Sequence, residues 1–158
     1  MWQRIQSVFL GLAILSLLAS LFMPVWEGTQ GEVIYRLYPI YFMTKATATS
    51  PLVSVYFPFS ITAILIVATI TIGVQEFRRF DNRMLQIKLG TLNALLLVGV
   101  MVSSVLFVNQ IAKEHPGISG GHYSIGLWLF FVAVIGNWLA MRFIRRDENI
   151  VRDSDRLR

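Results

Sequence analysis

Four apolar runs dominate this chain: Ile5 to Met23, Leu52 to Val74, Leu89 to Val108 and Tyr123 to Ile144. Each approaches or exceeds the ~20 residues that a helix needs to cross a ~30 Å hydrocarbon core. The third has apolar shoulders that carry it over about 85–112. The first three runs hold no Asp, Glu, Lys, Arg or His, and the fourth admits only Arg142, close to its end. Charged residues make up 15% of the 158 residues and hydrophobic ones 55%, against roughly 25% charged in a soluble domain. So small a chain lacks the interior volume to hide that much apolar surface from water. Lipid is the solvent that suits it. In lipid a helix satisfies its own backbone hydrogen bonds. The expected fold class is therefore an all-α membrane protein: a four-helix transmembrane bundle over residues 1–146, with spans at about 5–23, 52–74, 85–112 and 123–144, and a charged tail at 147–158. The first run is read as a retained span rather than a cleaved signal peptide, because no A-x-A site precedes Pro24.

Charge sets the orientation. Arg4, Arg78, Arg79, Arg83, Lys88 and six tail arginines fall on one side, and only Arg36, Lys45 and Lys113 on the other. The acids nearby leave the second side neutral and put the whole net charge of +5 on the first. Positive flanks mark the cytoplasm, so both termini are expected to be cytoplasmic. The sequence pI near 10 then reflects topology, and no nucleic-acid partner is expected.

The first outer loop, Val25 to Ser50, contains "EVIYRLYPIYFM". Its Tyr, Ile and Val favour strands, so a short extended segment or a hairpin is expected there. Trp26, Tyr35, Tyr38 and Tyr41 suit an interfacial aromatic belt. Ser50-Pro51 is a good helix start, while Pro58 either kinks the second helix or precedes its true beginning. Asp81 and Asn82 are turn and cap residues. "EHPGISGG" reads as a flexible outer turn before the fourth span.

Asn93 lies in the third span and Asn137 in the fourth. At ~1.5 Å per residue, both lie roughly 10–14 Å from their inner ends, so they are expected to hydrogen-bond across the two helices. Small residues recur at four-residue spacing, as in Thr69 and Gly73 or Gly136 and Ala140, which lets helices approach closely. There is no cysteine, hence no disulfide, thiolate metal site or catalytic thiol. No nucleophile elbow, zinc-protease helix or phosphate loop is present. His115 and His122 sit on a loop without further ligands at fixed spacing. No catalytic residue, cofactor or metal is expected. The lack of an ionisable group at membrane depth argues against a proton-coupled transporter.

The chain ends in "RFIRRDENIVRDSDRLR". Arg142, Arg145 and Arg146 suit the headgroup layer, where arginine snorkels. Beyond them the spacing of Ile150, Val151 and Leu157 allows a helix with one apolar stripe. Its mixed charges fit a protein partner better than lipid alone.

"WQRIQSVFLGLA" at the start and "NWLAMRFIRRDENIVRDSDRLR" at the end resemble the ends of a bacterial four-span integral membrane family of unknown function. The resemblance implies a small inner-membrane protein and implies no activity. It carries over Arg145, Arg146, Asp147, Arg152, Asp155 and Arg156 as the tail residues for partner docking. The expected role is a non-enzymatic accessory or scaffold subunit of an inner-membrane complex, in protein export or envelope assembly. Its partners would be membrane lipids and other integral membrane proteins. The alternative is a lipid or small-molecule binder with a pocket under the aromatic outer loop.

Overall fold

The computed structural model describes residues 2–45, 52–79 and 82–156. In chain order the elements are α1 (Trp2–Ser20), β1 (Trp26–Gln30), β2 (Val33–Leu37), β3 (Phe42–Lys45), β4 (Val53–Val55), α2 (Ser60–Arg78), α3 (Arg83–Glu114), β5 (Ser119–Tyr123) and α4 (Ile125–Arg156). Three helices are long and apolar enough to cross a membrane: α2, α3 over Met84–Glu114, and α4 over Ile125–Ile150. α1 adds the shorter apolar stretch Ile5–Ser20. Outward faces of the helices expose Val8, Ile64, Leu95, Leu106 and Trp128, an apolar surface that water does not favour.

The all-α expectation is corrected here. The strands form one antiparallel sheet in the order β4-β3-β2-β1-β5. The first outer loop is thus far more than one extended segment or hairpin. Gly31 has φ +60° at the first central position of the two-residue β1–β2 turn, where the right-handed strand twist favours a positive φ. Tyr38 N–H donates to Tyr41 O at 2.9 Å across the β2–β3 turn. Ser119 to Gly121, read as part of a flexible turn, and Tyr123, read as the start of the fourth span, belong to β5. It pairs with β1 through Trp26 opposite Tyr123 and Glu27 opposite His122. Few of its residues favour strands, and its order comes from that ladder.

The second span also begins later than expected. Leu52 lies outside any helix, Val53–Val55 is a strand, and α2 starts at Ser60. Pro58 therefore precedes the helix rather than kinking it. The Pro39 carbonyl accepts from Ala63 N–H at 3.1 Å, so the β2–β3 loop satisfies one of the orphan donors of this helix start. The Ser50-Pro51 helix start lies outside the described residues, as does Asp81. Asn82 does cap α3: its Oδ1 accepts from Leu85 N–H at 3.1 Å.

Two cores follow from this arrangement. Ala13, Leu17, Ile66, Leu97, Val100, Phe130 and Ala133 fill the bundle. Gly136 permits close approach of α4 to α1, since a Cβ there would lie 3.0 Å from the Phe9 carbonyl. The second core joins sheet to helices. Alternation in β2 turns Tyr35 and Leu37 inward. With Trp26 and Phe42 they cover Phe59, Val108 and Ile111. The rings pack at 5.4 Å for Phe42–Phe59 and 5.3 Å for Phe59–Phe107. The sheet thus closes the bundle end where α2 begins and α3 finishes. Further backbone bonds tie it to α4: Ser124 N–H to Val25 O and Gly126 N–H to Pro24 O, each 2.9 Å.

Candidate functional site

At the end of the bundle away from the sheet, polar side chains meet in the interior. Asn93 Nδ2 donates to Asn137 Oδ1 at 3.3 Å, and Asn137 Nδ2 donates to Gly90 O at 3.2 Å. Both asparagines are buried. The structure therefore brings Asn93 of α3 and Asn137 of α4 together at the equal depth inferred from their positions. Helix α2 brings a third polar residue, Glu76, which is 0% exposed. Its backbone carbonyl accepts from Gln86 Nε2 at 3.1 Å. Its carboxylate packs against Gly90 of α3, with Met141 of α4 beside the same glycine: a Cβ added to Gly90 would lie 2.8 Å from Glu76 Oε1 and 2.8 Å from Met141 Cγ. Among the described residues neither carboxylate oxygen has a hydrogen-bond partner, and Asn93 Oδ1 also lacks one.

Sequence reasoning missed this residue. The charge count grouped Glu76 with the acids of the cytoplasmic side because the apolar run stops at Val74. The helix does not stop there: α2 continues to Arg78. Its buried residues are Thr62, Ile66, Thr69, Gly73 and Glu76, spaced by three or four. That spacing keeps Glu76 on the inward stripe, and it was the signal available in the sequence. The premise that no ionisable group enters the packed helices is therefore corrected. A buried carboxylate whose oxygens accept nothing is costly. Chemically, it can exchange a proton or hold a cation, and intramembrane acids commonly mark such sites.

The remaining expected sites are scattered. Trp26 and Tyr35 are buried core residues of the sheet. The Trp26 ring packs so closely that a Cβ on Gly28 or Gly121 would fall 2.6 or 2.7 Å from it. Tyr38 and Tyr41 are half-buried and stack at 4.9 Å, with Tyr56 5.7 Å from Tyr41. Arg145 and Arg146 are exposed and Asp147 half-buried on α4, which runs unbroken into the tail. The side chains of Arg152, Asp155 and Arg156 lie outside the described residues. Among the described residues no group of three His, Cys, Asp or Glu is arranged to hold a metal. His115 instead packs on Tyr35, ring centroids 5.0 Å apart. A cavity of about 270 Å³ lies beneath the sheet, between Trp26, Val108, Ala112, His115, Ile118 and Gly121.

Residues 2–157 match the family described as a domain of unknown function, DUF4293, and the chain belongs to that family. No curated protein matches it.

Proposed function

Starting from membership in a family of unknown function, we propose that this chain is a non-enzymatic accessory or scaffold subunit of a bacterial inner-membrane complex. In this reading all four helices cross the membrane, both termini face the cytoplasm, and the sheet lies outside. The complex would serve protein export or envelope assembly. One observation carries the reading. The edge strand β4 and its flanks expose Leu52, Val53, Val55, Tyr56 and Phe57, the last at 78%. Natural sheets blunt their free edges with charge, bulges or cover. A contiguous apolar edge suits an added strand, with backbone bonds for affinity and alternate side chains for specificity. The helical tail, with Arg145, Arg146, Asp147, Arg152, Asp155 and Arg156, offers a second contact at the opposite end.

The test is isolation of the full chain from its native membrane in mild detergent. It is compared with Val53→Lys/Val55→Lys and with a truncation after Arg146. A partner in fixed stoichiometry that the lysine variant loses supports the reading. If the full chain retains no partner while lipid fills the cavity at Trp26 and His115, the scaffold role fails. That outcome would favour the alternative, a lipid or small-molecule binder, to which the cavity under the aromatic loop lends support. Concave, largely apolar sites with a few polar groups are the usual ligand pockets.

A further inference from the structure

A groove of about 700 Å³ runs between α3 and α4 at the end of the bundle away from the sheet. Arg142, Arg145, Arg146 and Asn149 form one part of it. Thr91, Ala94, Trp138, Met141 and Ile150 form the rest. Thr91 spends its hydroxyl on its own helix, donating to Ile87 O at 2.8 Å, and so adds a methyl group to the wall. Arg142 stands over the Trp138 ring at 5.5 Å, a cation–π contact that holds the guanidinium at the boundary of polar and apolar walls.

The tail's mixed composition argues against lipid alone, but the groove takes only part of it. Neither Asp147 nor Glu148 lines the groove. At ~100° per residue, Asp147 lies on the far side of α4 from Arg145, while Glu148 lies about 60° from it. Among the described residues the groove lining holds guanidiniums and an amide without a carboxylate. Thr91, Ala94, Trp138 and Met141 lie toward the bundle, and the basic part lies toward the chain end with Ile150 beside it. That polarity matches a phospholipid: phosphate above, acyl chain below. Arginine forks bind phosphate oxygens in pairs, and basic pockets between helices at this level recognise anionic headgroups.

We propose that this groove is a binding site for one anionic phospholipid. Arg142, Arg145 and Asn149 hold its phosphate, and an acyl chain lies along Trp138, Met141 and Ala94. The inference takes only the membrane setting from the proposed function and is independent of any partner protein. A chain that stays in solution without detergent would undo the setting itself, and is scored separately.

The full-length protein is purified in detergent and mixed with equimolar phosphatidylglycerol and phosphatidylcholine, and bound lipids are counted by native mass spectrometry. One phosphatidylglycerol is expected to remain bound in preference to phosphatidylcholine. Arg142→Gln/Arg145→Gln is expected to weaken retention by about ten-fold or more. Arg142→Lys/Arg145→Lys keeps the charge that sets topology and is expected to lose part of the preference. Arg78→Gln/Arg79→Gln removes equal charge elsewhere and is expected to leave retention unchanged. Unfolding midpoints in detergent establish that each variant is folded. Equal retention of both lipids, or an equal loss in the Arg78/Arg79 variant, overturns the site. Displacement of the lipid by millimolar inorganic phosphate would assign the groove to free phosphate instead and overturn the lipid assignment.

Discussion

The two ends of the molecule treat their glutamates in opposite ways. At the sheet end Glu27 is partly open to water. Its Oε2 lies 3.3 Å from Arg36 Nε, and its Oε1 accepts from Ser124 Oγ at 3.2 Å. At the other end Glu76 is fully buried, with no partner for either oxygen among the described residues. Stability at the sheet end rests on aromatic packing, with the ion pair as trim. At the far end the packing tolerates an unsatisfied carboxylate, an arrangement that stability alone does not favour. Strain of this kind is where function is to be sought.

Three substitutions break or sharpen the contrast. The largest effect is expected from Trp26→Ala, which empties the centre of the sheet core. A loss of about 3–5 kcal/mol is expected, read as a lowered midpoint in detergent-denaturant titration. A near-neutral result would mean that the sheet does not pack on the helices as described. Glu76→Met should act in the opposite direction. It replaces an unpaired buried carboxylate with an apolar chain of similar length, beside Met141, and is expected to stabilise by about 1–3 kcal/mol. A clear loss of stability in the same titration would show that a positive group holds the carboxylate in the membrane. The smallest change belongs to Glu27→Gln. A pair this exposed contributes roughly 0.2–1 kcal/mol, and the remaining effect should shrink further in high salt. A cost above that of Glu76→Met in magnitude would invert the comparison.

The difference in legibility follows the same division. α3 and α4 were readable because long apolar runs admit one solution in lipid. The meeting of Asn93 and Asn137 followed from helical rise alone. β4 was absorbed into the second apolar run because Leu52 to Val55 is as greasy as a span, and short apolar runs do not declare their geometry. β5 was hidden for the reverse reason. Its Ser-Gly-Gly-His-Tyr has little strand preference, and only the ladder to β1 makes it one.

By itself the sequence determined the apolar helices, the charge asymmetry of their ends and the strand tendency of the first loop. Each depends on the local order of residues, through periodicity, run length and cap chemistry. Tertiary structure alone decided that five strands close into one sheet, that Trp26 and Tyr35 serve as core, and that Glu76 is sealed inside. It also decided that α4 brings Arg142, Arg145 and Arg146 to one groove with α3. Those outcomes depend on which faces meet across the fold, and contacts between distant segments leave only faint traces in the local pattern.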